Sequence, residues 1–366
     1  MSVLEVRDPG HETVVVSFAH RGSTGFAYYR LLDALAVSRV FVRDPTDRWY
    51  NGAVPGLGAT VGEMVGTVRA AIGETGATRV VTVGSSMGGY AALLFGGLLG
   101  ANRVVALSPQ TLLDRRFPLS PPADVPLQEP DLRPVVAAAP ETDVLVVTGA
   151  DDLVDAFYVG RLAGLPSVRS LAVPDASHTF ADQLHRRARL TPVLHALLAG
   201  EVPADCRPHP CADVDVAGHV DDAVLRFHDR DPAGAAAAMA PVCARHPEWA
   251  GAQFLLGRAL LAAHRPADAE VAFRAAAAAN PGWFEPPREL GRALLAQDRP
   301  PEAEPFLRQA IAMRPSWAEA HVFLADCVLR RGDEVEGRAL LARALELKPA
   351  LAGEVERRIG ALEAAG

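Results

Sequence analysis

The feature that most constrains this chain is a 34-residue period in its C-terminal half. Several residue types recur at that spacing, and each keeps its place relative to the others. A repeat with small residues at fixed positions predicts pairs of closely packed helices, each pair ended by a proline. The recurring residues are Trp249, Trp283 and Trp317; Pro247, Pro281, Pro315 and Pro349; Leu256-Gly257, Leu290-Gly291 and Leu324-Ala325; Ala269, Ala303 and Gly337; Phe273, Leu307 and Leu341; Ala276, Ala310 and Ala344.

This pattern resembles that of tetratricopeptide repeats. It departs from that family three residues before each Leu-Gly or Leu-Ala pair, where Gln253, Pro287 and His321 stand in place of an aromatic residue. We expect an all-helical repeat domain over residues 214–366. Its predicted parts are a divergent repeat at 214–248, repeats at 249–282, 283–316 and 317–349, and a capping helix at 350–364.

Arrays of this kind stack into a concave groove that binds peptides or protein segments. The positions two residues before and after the leucine of a Leu-Gly pair are expected to face that groove, and they are Phe254, Arg258, Arg288 and Arg292. Their arginines predict a mildly basic groove for an acidic segment. The alternative role for the array is self-association as a homodimer.

The N-terminal half has a different rhythm, in which short β-branched runs alternate with helical stretches. Such alternation predicts an α/β fold with a doubly wound, mostly parallel sheet over residues 1–199. The predicted strands are 13–18, 39–43, 79–83, 103–107, 143–148 and 167–172, and the predicted helices are 24–36, 59–74, 87–99, 132–139, 155–163 and 180–198. Residues 200–213 contain three prolines and no periodicity, so we predict a linker there.

One strand-to-helix corner carries the motif G-x-S-x-G, at residues 84–88, with Ser86 in the middle. Glycines permit a tight turn with strained backbone at the serine, whose hydroxyl then projects beyond the carboxyl edge of the sheet. The adjoining helix N-terminus favours developing negative charge. The corner therefore presents a nucleophile beside an anion site.

A serine hydroxyl needs a base, and the chain supplies candidates in the order serine, acid, histidine. Asp151 and Asp152 follow the strand at 143–148, and His178 follows the strand at 167–172. All these residues fall on one edge of the predicted sheet, where open α/β sheets carry their sites. His178 is expected to take the proton from Ser86, and the acid to orient His178.

Residues 10–198 resemble the α/β-hydrolase fold in a minimal form. The resemblance implies Asp152 as the acid, with Asp151 as its nearest rival and Asp155 as a third candidate. It also implies an oxyanion hole built from backbone N–H groups, one from Met87 and another near His20 and Arg21. The family often has a His-Gly pair at the second position, whereas this chain has an inserted arginine between His20 and Gly22.

Two loops are expected to shape the substrate site. Arg48, Trp49 and Tyr50 follow the second strand, where flat aromatic faces would suit a sugar ring or an acyl chain and the arginine an anionic group. Packing of these aromatic residues onto the domain is the competing interpretation. Gln110 follows another strand at the same edge.

Composition limits the alternatives. The net charge of −8 argues against nucleic acid as the main partner. The sequence has no apolar run long enough for a membrane span and no secretory signal pattern, so we expect a cytoplasmic protein without a membrane partner. Four cysteines in 366 residues do not form a disulfide scaffold, and no metal site or cofactor is expected.

The sequence thus predicts a serine hydrolase that cleaves an ester through an acyl-Ser86 intermediate. Its substrate would be a small ester or an acylated glycan or carrier, and the repeats would recruit a partner. One alternative is an acyltransferase that moves the acyl group to a sugar or amine with the same triad. The other is a non-catalytic repeat scaffold with a degenerate hydrolase domain.

Overall fold

The computed structural model describes residues 2–117 and 121–363. Residue contacts divide the chain into two compact units, Met1–Val224 and Leu225–Gly366. The first is an α/β unit built on a mostly parallel sheet and the second is all helical, which confirms the predicted fold class. The division falls inside one helix, Val214–His228.

Among the described residues, eight strands form one sheet in the order β1-β3-β2-β4-β5-β6-β7-β8. The strands β2 to β7 run parallel, and β1 and β8 close the two edges antiparallel. Their bounds are β1 Leu4–Arg7, β2 Thr13–Phe18, β3 Ser38–Val42, β4 Arg79–Ser85, β5 Arg103–Leu107, β6 Asp143–Gly149, β7 Val168–Val173 and β8 Arg207–Pro208.

The helices of the first unit are α1 Tyr29–Leu32, α2 Val61–Glu74, α3 Met87–Leu99, α4 Arg133–Ala137, α5 Leu153–Gly160, α6 Phe180–Arg186 and α7 Leu190–Ala199. α8, Val214–His228, contains the division. The helices of the second unit are α9 Pro232–Arg245, α10 Ala250–Ala262, α11 Pro266–Ala279, α12 Glu285–Leu295, α13 Pro300–Met313, α14 Ala318–Arg330, α15 Glu334–Leu347 and α16 Ala352–Glu363.

The sheet is covered on both faces, which explains why its strands are continuously apolar. Successive strand residues point to opposite faces. On one face Val81 and Val105 belong to a buried cluster that includes Leu194 of α7. On the other face the Thr82 hydroxyl donates to the Ala92 carbonyl of α3, over 2.8 Å.

The strand order places a topological switch between β2 and β4, which are neighbours in the sheet although β3 lies between them in sequence. From β2 the chain proceeds to β3 on one side and then returns to β4 on the other. The loops that leave β2 and β4 therefore diverge and open a crevice at the carboxyl edge, the usual ligand position of such sheets.

The first unit differs from the sequence prediction in four places. The edge strands β1 and β8 were not predicted, because four and two residues give too little periodicity. The predicted helix at 24–36 forms only one turn, α1. The predicted helix at 180–198 is interrupted between α6 and α7, where Ala188 has a left-handed backbone (φ 55°).

Residues 200–213, predicted as a linker, contribute to the first unit. β8 pairs with β7, the His209 N–H donates to the Ser170 carbonyl over 2.9 Å, and Cys211 is fully buried. Residues 214–224 also belong to this unit. Ala217 packs closely against Gly160, since a Cβ on Gly160 would lie 3.1 Å from the Ala217 Cβ.

The second unit contains the predicted helix pairs, α10–α11, α12–α13 and α14–α15. Each ends for the same local reason. Asn280, Arg314 and Lys348 each precede a proline, and all three have extended φ angles of −131°, −144° and −148°. A residue before proline is excluded from the helical region, so the helix stops there. The predicted capping helix corresponds to α16, and its residue 364 lies outside the described residues.

Small residues set how closely the paired helices approach. A Cβ on Gly257 would lie 2.6 Å from Phe273, and one on Gly291 would lie 2.5 Å from Leu307. The third pair has Ala325 at the corresponding place in α14, and its glycine lies on the other helix, at Gly337, against Leu329. Both positions are small in every pair, and in the third pair the glycine has moved from one helix to its partner, so the close packing is kept.

No helix within the described residues is both long enough and apolar enough to cross a membrane.

The first unit has a close contact between α3 and β2 that depends on a glycine. A Cβ on Gly88 would lie 2.4 Å from the Phe18 carbonyl oxygen, whereas a Cβ on Gly66 in α2 would meet no atom within 4 Å. We expect Gly88→Ala to lower the free energy of unfolding by about 2 kcal/mol or more through overpacking against backbone. Gly66→Ala should raise it by about 0.5–1 kcal/mol through helix propensity. Urea unfolding of the full chain, followed by circular dichroism, measures both.

These two substitutions are matched, since both place a methyl group on a helical glycine of the same unit. Equal shifts of the same sign would contradict the contact as described.

Candidate active site

Ser86 occupies a strained corner between β4 and α3. Its backbone has φ 54° and ψ −119°, and residues other than glycine rarely adopt such a positive φ. The corner is held by the Ser86 N–H, which donates to the Leu107 carbonyl of β5 over 2.8 Å. This geometry turns the side chain out of the strand direction, as the G-x-S-x-G motif predicts.

The motif's two glycines are required by close backbone contact. A Cβ on Gly84 would lie 2.1 Å from the Gly88 carbonyl oxygen. A Cβ on Gly88 would likewise meet the Phe18 carbonyl oxygen, so there is no room for a side chain at position 84 or at position 88. The strain at the serine is therefore enforced by the packing of β4, α3 and β2.

His178 lies within hydrogen-bond distance of the Ser86 hydroxyl. Its Nε2 is 3.2 Å from Ser86 Oγ. The residue follows β7 and Ser86 follows β4, so the two meet at the carboxyl edge of the sheet, as the topology predicts.

The carboxylate against the His178 ring belongs to Asp155. Asp155 Oδ1 lies 2.8 Å from His178 Nδ1, and the Asp155 side chain is 1% exposed. The prediction of Asp152 as the residue that orients the ring is therefore corrected. Asp152 caps α5: its side chain accepts from the Asp155 N–H over 3.0 Å and from the His178 N–H over 3.3 Å.

Asp152 thus contacts the backbone of the histidine loop, while Asp155 contacts its ring. The rival Asp151 is buried too, and its backbone N–H donates to the Ala176 carbonyl. Because Asp155 lies in the first turn of α5, its carboxylate is directed by the helix rather than by the loop after β6.

The two carboxylates change the acid–base properties of the site. Burial disfavours the charged imidazolium, but the hydrogen bond to Asp155 and the charges of Asp155 and Asp152 outweigh it and raise the pKa of His178 to about 9. Burial and the neighbouring Asp155 raise the pKa of Asp152 to about 6. The site therefore favours a protonated His178, and the neutral base forms as the pH rises.

A cavity of about 570 Å³ opens in front of Ser86 and His178. It lies at the switch point, between the loops that leave β2 and β4. Its lining is His20, Arg21, Gly22, Ala27, Tyr28, Asp47, Ser85, Ser86, His178, Thr179, Ala181, Asp182 and Leu190.

The predicted oxyanion residues lie around this cavity. His20 and Arg21 line it. Met87 is the first residue of α3, and the first N–H groups of a helix have no partner within the helix. Met87 adjoins Ser86 in the chain, and His20 and Arg21 share the cavity with it; the role of all three as donors stays a prediction.

Three residues predicted to bind substrate are placed elsewhere. Trp49 and Tyr50 are fully buried, and Tyr50 packs against Phe18 and Phe95 at ring distances of 5.7 and 5.8 Å. Arg48 forms an ion pair with Asp124 at 2.9 Å. The prediction is wrong for the two aromatic residues, because both have left-handed backbones (φ 55° and 54°) that turn the loop into the core.

Gln110 lies closer to the chemistry than predicted. It is 2% exposed, and its Nε2 is 3.5 Å from Ser86 Oγ. The sequence predicts it in the substrate pocket, whereas the structure places it against the Ser86 hydroxyl and outside the cavity lining.

Asp152, Asp155 and His178 also have the spacing of a metal site, with one ligand atom of each within 4.8 Å of the others. Both ring nitrogens of His178 already have hydrogen-bond partners, Asp155 and Ser86. The geometry is accounted for by a hydrogen-bonded relay from carboxylate to imidazole to hydroxyl.

The predicted groove residues of the repeats are only partly available. Phe254 is buried against Phe273 and Trp283 and belongs to the core. The Arg288 side chain is 15% exposed and pairs with Glu289, as does the more exposed Arg292. Arg258 is exposed and stacks on Phe227 at 5.1 Å.

Comparison with known proteins identifies the second unit. A family model for the tetratricopeptide repeat matches residues 222–282 and 288–352, so this half of the chain carries tetratricopeptide repeats. None of the curated proteins compared with the chain matches it.

Two solved structures give the level of structural likeness. The MamA protein is 21% identical, and the match covers 37% of this chain and 74% of that chain, with a TM-score of 0.35. A thermophilic tetratricopeptide-repeat protein in Thermus thermophilus is 21% identical, with 50% and 95% covered and a TM-score of 0.35.

The two carboxylates can be separated by a matched pair of substitutions, Asp155→Asn and Asp152→Asn. Asp155→Asn removes the charge and ring contact that raise the pKa of His178, so the rising limb of kcat/KM should move to lower pH. The rate at the optimum should fall about 10²- to 10⁴-fold. Asp152→Asn removes a more distant charge and one of the two acceptor oxygens that Asp152 offers to the Asp155 and His178 N–H groups, but it leaves the ring contact in place, so it should move the limb less.

The pH dependence of kcat/KM, or of covalent labelling at Ser86, measures these shifts. Asparagine can keep the cap but has one acceptor oxygen for the two N–H groups, so Asp152→Asn should lower the free energy of unfolding by about 1–2 kcal/mol. A larger rate loss for Asp152→Asn than for Asp155→Asn would contradict the assignment.

Proposed function

We propose that the chain is a serine hydrolase that cleaves an ester through an acyl-Ser86 intermediate, and that its repeats bind a protein or peptide segment. The observation that supports the enzymatic part is the relay Asp155–His178–Ser86, with contacts of 2.8 and 3.2 Å, on a strained corner. The tetratricopeptide repeats support the binding part.

In the first step Ser86 Oγ attacks the carbonyl carbon of the ester, and its proton passes to His178 Nε2. Asp155 accepts the hydrogen bond from Nδ1 and stabilises the imidazolium. As the tetrahedral intermediate collapses, His178 gives this proton to the leaving alkoxide, and the acyl group stays on Ser86.

In the second step water attacks the acyl carbon and loses a proton to His178. The bond to Ser86 Oγ breaks, the proton returns to Oγ, and the acid leaves. The Met87 N–H and a backbone N–H of the His20–Arg21 loop are the proposed donors to the oxyanion in both steps.

The cavity also bears on the substrate. Its size, about 570 Å³, is that of a small-molecule pocket, and its lining combines Tyr28, Ala181 and Leu190 with the polar His20 and Asp182. This suits a compact acyl group with a polar alcohol. An added acceptor alcohol that appears acylated among the products would identify acyl transfer in place of hydrolysis.

The first test is turnover of short-chain p-nitrophenyl esters together with labelling by a fluorophosphonate probe. We expect the full-length protein to show both and Ser86→Ala to show neither, a loss of about 10³-fold or more in kcat. Intact-mass measurement should show a single probe per chain, and peptide mapping should place it on the peptide that contains Ser86.

The matched control is Ser167→Ala, because Ser167 precedes β7 at the opposite edge of the sheet. It should retain both activities. Absence of turnover and labelling in the wild-type protein would contradict the enzymatic proposal and leave the repeats as the functional half.

A further inference from the structure

Gln110 is a polar side chain that the fold buries against the nucleophile. It follows β5 and is 2% exposed. Its amide lies between two groups, with Nε2 at 3.5 Å from Ser86 Oγ and Oε1 at 3.3 Å from Trp49 Nε1. Gln110 is not among the described residues that line the cavity, so its amide approaches the Ser86 hydroxyl oxygen from the interior of the unit.

The orientation of this amide is fixed by its other neighbour. An indole nitrogen can only donate a hydrogen bond, so the amide oxygen must face Trp49. Trp49 is fully buried, and a reversed amide would set two N–H groups against each other in the core. The amide NH₂ is therefore held toward Ser86.

On the premise that Ser86 is the nucleophile of the proposed hydrolase, we propose that Gln110 is a positioning residue that orients the Ser86 hydroxyl. The amide N–H donates to Oγ, and the hydroxyl hydrogen is left to point at His178 Nε2. That nitrogen is the acceptor of the ring, because the N–H of Nδ1 donates to Asp155.

The same contact gains strength during the reaction. A hydroxyl oxygen accepts a hydrogen bond weakly, and an oxygen that is losing its proton accepts it more strongly. The amide N–H thus stabilises the charge that develops on Oγ as His178 takes the proton. Trp49 acts one contact further away, by holding the amide in the productive orientation.

The main variant is Gln110→Glu, which keeps the shape and the acceptor for Trp49 but replaces the donor with a carboxylate oxygen. That oxygen competes with His178 for the hydroxyl hydrogen. We expect kcat and the rate constant of fluorophosphonate labelling to fall about 10- to 100-fold, with KM changed by less than about 3-fold. The deficit relative to wild type should shrink as the pH falls and the carboxyl regains a proton to donate.

A double-mutant cycle gives a second readout that a purely structural role does not produce. Trp49→Phe frees the amide to rotate and should slow labelling about 3- to 10-fold in the Gln110 protein. In the Gln110→Leu background no amide remains to be oriented, so the same substitution should have no further effect on the rate.

Gln128→Glu, at an exposed position, is the control for the change of an amide to a carboxylate away from Ser86, and the Gln110→Leu variant shows the effect of losing the buried amide without adding a charge. The Gln128 amide also bridges two groups of the first unit, donating to the Asn51 carbonyl and accepting from the Val61 N–H, but it does not contact Ser86. It should label at the wild-type rate. Circular dichroism establishes that each variant is folded before its rate is measured.

Wild-type rates for Gln110→Glu, or additive effects in the cycle, would overturn the positioning role while labelling of the wild type upholds the proposed hydrolase. A wild-type protein that neither labels nor turns over ester would overturn the hydrolase and this inference together.

Discussion

The backbone corner at Ser86 is the constraint on which the rest of the site depends. It ties three strands together, because the Ser86 N–H bonds to the end of β5 and Gly88 packs under the end of β2. A similar approach joins β6 to the histidine loop, where a Cβ on Gly149 would lie 2.3 Å from the Ser177 carbonyl oxygen. With the strand ends drawn together by backbone contact, the loops that follow them have one common place to meet.

The helix pairs of the repeats also depend on small residues that allow two elements to pack closely. Each helix pair has one glycine and one alanine at the two repeated small positions, and in the third pair the glycine lies on α15 and the alanine on α14. Ion pairs then join successive pairs. Glu270 bonds to Arg274 and Arg299, and Glu304, at the same place one period later, bonds to Arg308 and Arg331. Such pairs at the surface add little stability each, so the buried small residues determine the packing.

Much of the site could be predicted from the sequence, and the exceptions have local causes. Ser86 and His178 were predictable because their positions depend only on where strands end. The contact of Asp155 with the His178 ring was not predictable, because the choice among the three aspartates depends on where α5 begins. The helix starts at Leu153, which makes Asp152 its cap. An aspartate three residues before another, at a helix start, is itself a capping signal that could have indicated this.

The aromatic pair failed for a different reason. Trp49 and Tyr50 follow a strand at the functional edge, and topology alone places them near the site. Their burial depends on two successive left-handed residues, which no local pattern specifies. Trp49 nevertheless connects to Ser86 through Gln110. These three residues lie in segments that are distant in sequence, so their contact is seen only in the folded unit.

The charge balance of the site follows from the same arrangement. The buried Asp155 lies against the His178 ring and the half-buried Asp152 lies near it, so an imidazolium at His178 is stabilised more than one partner alone would allow. For the proposed hydrolase this arrangement has a cost, because the same carboxylates raise the pKa of His178 and so favour the protonated ring, which cannot accept a proton. Burial and the proximity of Asp155 favour protonation of Asp152, which relieves part of this effect at acid pH. In the proposed reaction His178 is therefore expected to act as a base mainly above neutral pH, and the charge of Asp152 contributes to this shift.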